Sequence, residues 1–167
     1  MEMMGGMMAS GNFGEAAAVA GCAVEDFSVM GSYNHSGVQA KLAGLLIGLG
    51  KYSVFTELSL EINKIEYKPD ISIYPKRGLS KPRDILKMTD MPLLAIEILS
   101  SRQAMDELID KFEVYFNAGI KSCWLVEPAI EAITVYSSLL EYQTHGLGEV
   151  VDKQLDLTLP IDMVFDI

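Results

Sequence analysis

The stretch Pro92-Leu93-Leu94-Ala95-Ile96-Glu97-Ile98-Leu99-Ser100 is a run of apolar residues broken by one acid. Continuous apolar character over Leu93–Leu99 predicts a central strand covered on both faces, not an alternating half-exposed one. A carboxylate inside such a strand is costly unless it is paired, protonated or bound to a metal. Upstream, Lys68-Pro69-Asp70-Ile71-Ser72-Ile73-Tyr74 sets a second acid in another strand-like segment, expected over Tyr67–Tyr74. Two such acids on consecutive strands predict a site for Mg²⁺ or Mn²⁺, because hard cations take oxygen ligands. Asp70 after Pro69 also fits a turn cap. Glu97 has a weaker alternative, because an acid between Ile96 and Ile98 needs a reason to be there.

Outward from these acids the pattern is helical, then extended. Val38, Leu42, Leu45, Leu46 and Leu49 recur at the spacing of one buried face and predict a helix over Ser36–Leu49, ended by Gly50. Val54 to Ile62 alternates apolar and polar residues, which predicts one half-exposed strand with Glu57 and Glu61 toward solvent. Glu57 reaches the acids only if its strand borders that of Asp70. Gly78 to Met91 reads as a charged connection. A second helix is expected over Gln103–Asn117, with Leu108, Ile109, Phe112, Tyr115 and Phe116 on its apolar face and Ala118-Gly119 closing it. Ser122–Val126 and Ala132–Tyr136 read as strands separated by Pro128, and Val150–Ile167 as a short edge-packed tail. Trp124 reads as a packing residue beside the sheet. The order helix, three strands, helix, two strands gives an α/β fold with a mixed central sheet flanked by helices.

The chain has 167 residues, half of them hydrophobic, enough for one domain with a sizeable core. That domain is expected over residues 28–167. Residues 1–27, rich in Met, Gly and Ala, read as an atypical N-terminal arm, floppy or packed on a partner chain. Val19-Ala20-Gly21-Cys22 looks locally like a lipoprotein cleavage box, but no basic residue precedes it, and Glu2 and Glu15 are acidic. Met30 is an alternative start for the core. No apolar run reaches the ~18 residues that span a bilayer. Cys22 and Cys123 lie far apart, no Cys/His cluster suggests zinc, and a reducing, cytoplasmic setting fits. The net charge of −10 argues against tight non-specific binding to nucleic acid. Lys76, Arg77, Lys81, Arg83 and Lys87 form a local basic run, a solvated loop or a phosphate contact. No Gly-rich phosphate loop, nucleophile elbow or metal-binding histidine pair points to small-molecule chemistry.

A lysine near paired acids would orient a metal-activated water. Leu99 stands two residues beyond Glu97, so the candidate is Lys111, on the helix face it shares with Glu107 and Tyr115. Lys111 and Glu107 also fit a surface i,i+4 pair worth ~0.3–0.5 kcal/mol, and Tyr115 fits the core.

In order, Pro69-Asp70, Ile96-Glu97-Ile98-Leu99-Ser100, the Glu107, Lys111, Tyr115 ladder, Ala118-Gly119 and Cys123-Trp124-Leu125-Val126-Glu127-Pro128 resemble the Uma2 (DUF820) family, a branch of the PD-(D/E)XK nuclease superfamily abundant in cyanobacteria. The resemblance covers about residues 30–137. It implies a restriction-endonuclease-like core, with Asp70, Glu97 and the carbonyl of Ile98 as metal ligands and Lys111 as the migrated catalytic lysine. His35, just before the first helix, matches a histidine often found there. Gln39 falls by position where many superfamily members carry a helical glutamate. The chain departs from the pattern at Leu99, at Glu107 where Asp is commoner, and at the neutral Gln39. The implied activity is metal-dependent endonucleolytic cleavage of DNA. The alternative is a catalytically inactive nuclease-fold protein acting as a dimeric DNA-associated or regulatory factor. A homodimer is expected under either reading.

Overall fold

The computed structural model describes residues 31–101 and 103–167. The expected arm over residues 1–27, its packing on a second copy, Cys22 and the alternative start at Met30 lie outside the described residues. Elements follow in the order α1 (Tyr33–Gly48), β1 (Tyr52–Thr56), β2 (Leu60–Ile62), β3 (Ile65–Tyr67), β4 (Ile71–Pro75), β5 (Leu94–Ile98), α2 (Met105–Asn117), β6 (Ser122–Glu127), β7 (Ala132–Tyr136), β8 (Tyr142–His145), β9 (Glu149–Asp152), β10 (Leu157–Pro160) and α3 (Ile161–Phe165).

All five residues of β5 are buried, as its apolar run predicts. It lies inside a six-stranded mixed sheet of order β1-β4-β5-β6-β7-β8. Only β5 and β6 run parallel, joined across α2; the other neighbours are antiparallel. Side chains alternate between two cores. Ile71, Ile73, Leu94, Ile96, Ile98, Trp124 and Val126 pack with Val38, Leu42 and Leu46 of α1. Tyr74, Ala95, Cys123 and Leu125 pack with Leu108, Phe112 and Tyr115 of α2. Phe112 is fully buried, a contribution of about 1.5–3 kcal/mol. Glu97 shares the α2 face with Ala95. Cys123 is a free, buried thiol, and burial pushes its pKa up.

The expected strand over Val54–Ile62 is two strands. Glu57 takes the left-handed conformation (φ 52°) and turns the chain out of the sheet. β2 then pairs with β3 in a separate two-stranded ribbon, closed by Asn63 and Lys64 at φ 52° and 66°. Two positive-φ residues in a two-residue loop suit the right-handed twist of a hairpin. Alternation continues on both sides of Glu57, so periodicity alone hides the break. The expected strand over Tyr67–Tyr74 is also divided: Tyr67 ends β3, and Lys68-Pro69-Asp70, whose proline has no N–H for a ladder, leads into β4.

His35 stands inside the first turn of α1, not before it. Ser32 is the N-cap, and its Oγ accepts a long 3.4 Å hydrogen bond from the His35 N–H. The tail is also more than an edge. Val150, Leu157, Leu159, Ile161 and Val164 are buried in the α1-side core. Its anchor is Asp152, fully buried at the end of β9. Asp152 Oδ2 accepts from Ser122 Oγ at 2.5 Å and from Trp124 Nε1 at 2.9 Å. Its Oδ1 accepts from the N–H groups of Gln154 and Leu155 at 2.9 and 3.3 Å. Trp124 is therefore both a packing residue and a donor.

Removing this acceptor leaves the buried Trp124 indole N–H without its partner and releases the turn held at Gln154 and Leu155. Asp152→Ala is expected to lower unfolding free energy by about 2–4 kcal/mol, read from urea denaturation followed by circular dichroism. An unchanged midpoint would exclude the anchoring role.

Candidate active site

β4 and β5 pair with Ile71 opposite Ile96. One step beyond the last pair of this antiparallel register, Asp70 stands across from Glu97 at the end of the sheet; Glu97 points to the α2 side, whereas the Asp70 carboxylate turns to α1 and the backbone of β5. Asp70 Oδ2 accepts a 2.6 Å hydrogen bond from the Ile98 N–H. Its Oδ1 lies 3.1 Å from His35 Nε2. The Asp70 carbonyl accepts from Gln39 Nε2 at 2.9 Å and from the Glu57 N–H at 3.1 Å. α1 therefore reaches over the end of the sheet and fixes Asp70 through two side chains one turn apart.

Glu97 is held from the opposite layer. Lys111 Nζ donates to Oε2 at 3.1 Å and Tyr115 Oη to Oε1 at 2.7 Å. These two residues are four apart on α2 and project from one face. The amphipathic pattern that buries Leu108, Phe112 and Tyr115 thus also aims Lys111 at the acid. Lys111 pairs with Glu97 and not with Glu107, which is exposed in the first turn of α2. Leu99 shares the face of Glu97 and packs, partly buried, against the α2-side core, where a strand lysine would otherwise stand.

Electrostatics follow from burial. Glu97 is only 3% exposed. Desolvation raises its pKa to about 7, with the Lys111 charge pulling down, Asp70 pushing up, and the bonds from Tyr115 and Lys111 pulling down. The Tyr115 phenol is pushed up by burial and by Glu97. The hydrogen bond to Asp70 raises His35 above its ordinary value against the opposing effect of burial, helped by the charges of Asp70, Glu57 and Glu97. Glu57 is exposed on its turn, yet close enough for its charge to be felt at His35.

The structure thus brings together Asp70, Glu97, Ile98, Lys111, His35, Gln39 and Tyr115, and leaves Glu107 out. The backbone of Glu57 joins them, because β1 does border the strand of Asp70. A cleft of about 410 Å³ adjoins His35 at the carboxyl ends of β5 and β6. The Glu127-Pro128 break in the sequence marks its far wall, a signal read only as the end of a strand.

Residues 19–166 match the family model described as "Uma2: Putative restriction endonuclease". A solved structure titled a "putative nuclease belonging to DUF820" from Anabaena variabilis is similar in fold, with TM-score 0.68, 20% sequence identity, and 81% of this chain and 82% of that chain covered. No curated protein gives a match. Among the described residues no helix is long and apolar enough to cross a membrane.

The buried carboxyl of Glu97 gives a signed pH dependence. In the unfolded chain it ionises near 4.5, and in the fold only near 7. Between these values the fold binds the extra proton, so stability falls as pH rises and levels off above 7. Glu97→Gln removes this dependence. In chelator, wild type is expected to lose on the order of 2–3 kcal/mol more than the variant between pH 5 and pH 8, measured by urea denaturation. Equal losses would mean that Glu97 ionises as an exposed acid does.

Proposed function

Because the chain belongs to the Uma2 family, we propose that it is a metal-dependent endonuclease that hydrolyses phosphodiester bonds of DNA at Asp70 and Glu97. The observation that carries this reading is the buried Glu97 carboxylate opposite Asp70, with Lys111 donating to it at 3.1 Å.

The donor set suits Mg²⁺ or Mn²⁺. Two carboxylates on paired strands supply hard oxygens. The Ile98 N–H faces Asp70, and in an antiparallel ladder the carbonyl of the same residue leaves on that same edge, which supports Ile98 as the third ligand. Each carboxylate oxygen that accepts one hydrogen bond keeps another lone-pair site. A carboxyl whose pKa stands near 7 without a cation gains from an added positive charge. When bound, the metal lowers the pKa of a coordinated water and stabilises charge on the phosphate.

The protein groups divide the remaining work. Tyr115 and Lys111 hold Glu97 in one orientation, and His35 and the Ile98 N–H do the same for Asp70. The Lys111 side chain is about one-third exposed, so its ammonium reaches an incoming phosphate as well as Glu97. Water attacks phosphorus as the bond to the leaving oxygen breaks, the attacking water giving a proton to solvent and the leaving oxygen taking one from it, while Lys111 orients that water or steadies the developing charge.

One observation favours the non-catalytic alternative: all four oxygens of the two carboxylates already accept from or face protein donors. Calorimetry separates the readings. Wild type is expected to bind Mn²⁺, and Glu97→Ala to lose that binding with its circular dichroism spectrum intact. Plasmid cleavage is expected to require Mg²⁺ or Mn²⁺ and to fall to background in Asp70→Ala and Glu97→Ala. Full cleavage by either variant would refute the assignment.

Lys111→Ala provides an independent check. It is expected to retain Mn²⁺ binding while cleavage falls about 10²–10³-fold. Loss of both in parallel would make Lys111 a support for the ligands and not a participant in the reaction.

A further inference from the structure

The cleft beside His35 differs in chemistry from the carboxylate site. Its floor continues directly from β5 into Leu99 and Ser100, and its far wall is the turn after β6. Its volume of about 410 Å³ falls in the range of sites that enclose a small organic group. Glu127 contributes an acid to its lining. Tyr33 and Ile130 on its lining are 83% and 66% exposed, large apolar surfaces with nothing described against them. Asn34 and Gln103 offer amides that both donate and accept. Apolar faces with amide and carboxylate groups between them suit a planar ring bearing polar edges, which is how unstacked bases are held.

His35 connects this cleft to the proposed centre. It lines the cleft, and its Nε2 lies 3.1 Å from Asp70 Oδ1. Its buried Nδ1 has no hydrogen-bond partner among the described residues. A base in the cleft thus lies one side chain away from a phosphate at Asp70.

Building on the nuclease reading, we infer that the cleft between Tyr33 and Ile130 receives one unpaired nucleobase next to the phosphate at Asp70 and Glu97. A base stacked in an intact duplex does not enter such a cleft without unstacking, at a cost of a few kcal/mol. The substrate class is therefore DNA with an unpaired nucleotide at the cleavage site: a single strand, a flap or a gap.

The test compares full-length wild type with Ile130→Trp, which fills the cleft from an exposed position, and with Tyr33→Ala. Neither residue belongs to the carboxylate site. Mn²⁺-dependent cleavage is measured on a blunt, fully paired duplex and on the same duplex with a single-stranded flap. Wild type is expected to cut the flap at least tenfold faster, and both variants to lose most of that preference while calorimetric Mn²⁺ binding is unchanged. Equal rates on the two substrates, or a preference untouched by both substitutions, would overturn the inference. Should wild type cleave neither substrate, the nuclease reading fails separately, and fluorescence anisotropy of a labelled twelve-nucleotide oligothymidine decides about the cleft. Binding weakened severalfold by Ile130→Trp sustains it; no binding, or binding equal in wild type and variant, rejects it.

Discussion

Placing a carboxylate at Glu97, inside the strand that anchors the whole sheet, is the constraint around which the other parts are arranged. The strand is buried on both faces, so water does not solvate that charge. The compensation comes from α2, and only from residues that its apolar face positions as it docks. The packing of Leu108 and Phe112 and the placement of Lys111 are therefore one event. A motif lysine on the strand itself would be set by local backbone geometry. Here the cation is set by the tertiary contact between helix and sheet, so the geometry of the site inherits the precision of the core.

Asp70 is governed by different forces. It sits where β4 begins, at the end of the sheet, and is tied to three separate elements: α1 through His35 and Gln39, β5 through the Ile98 N–H, and the turn at Glu57. The left-handed conformation of Glu57 is part of that arrangement. The chain leaves the sheet there, just after the Glu57 N–H has made the last bond of the β1–β4 ladder, to the Asp70 carbonyl. A non-glycine residue in that conformation is held by its surroundings, and here those surroundings are the site.

Much of this was legible in the chain because burial writes a strong signal. Leu93–Leu99, α1, α2 and the strands around Cys123 and Val135 all carry patterns that follow directly from two-sided or one-sided coverage, and an acid inside such a pattern stands out. The missed features are those where the signal is carried by one or two backbone angles or by distant partners. The turn at Glu57 preserves alternation and so leaves no trace in periodicity. The hairpin at Asn63-Lys64 lacks the glycine that usually marks one. Asp152 lies in a tail of mixed composition, and its partners Ser122 and Trp124 are about 30 residues away, so only the fold discloses that it is buried. His35, Gln39 and Lys111 fell into place for a mixed reason: helical spacing sets their direction, whereas the resemblance to a family singled them out.

The indole donor to Asp152 gives the molecule an internal reporter. Trp124 is the only tryptophan in the chain, and its ring lies on the α1 side of β6, directly across from Ile96 on the neighbouring strand. Its ultraviolet emission therefore senses two things at once without any label: whether the C-terminal hairpin is seated, through the carboxylate on its nitrogen, and whether β5 shifts, through the ladder it shares. Events at the carboxylate face arrive at this fluorophore only through the sheet. An emission change on adding a ligand would thus measure how far the central strand itself moves.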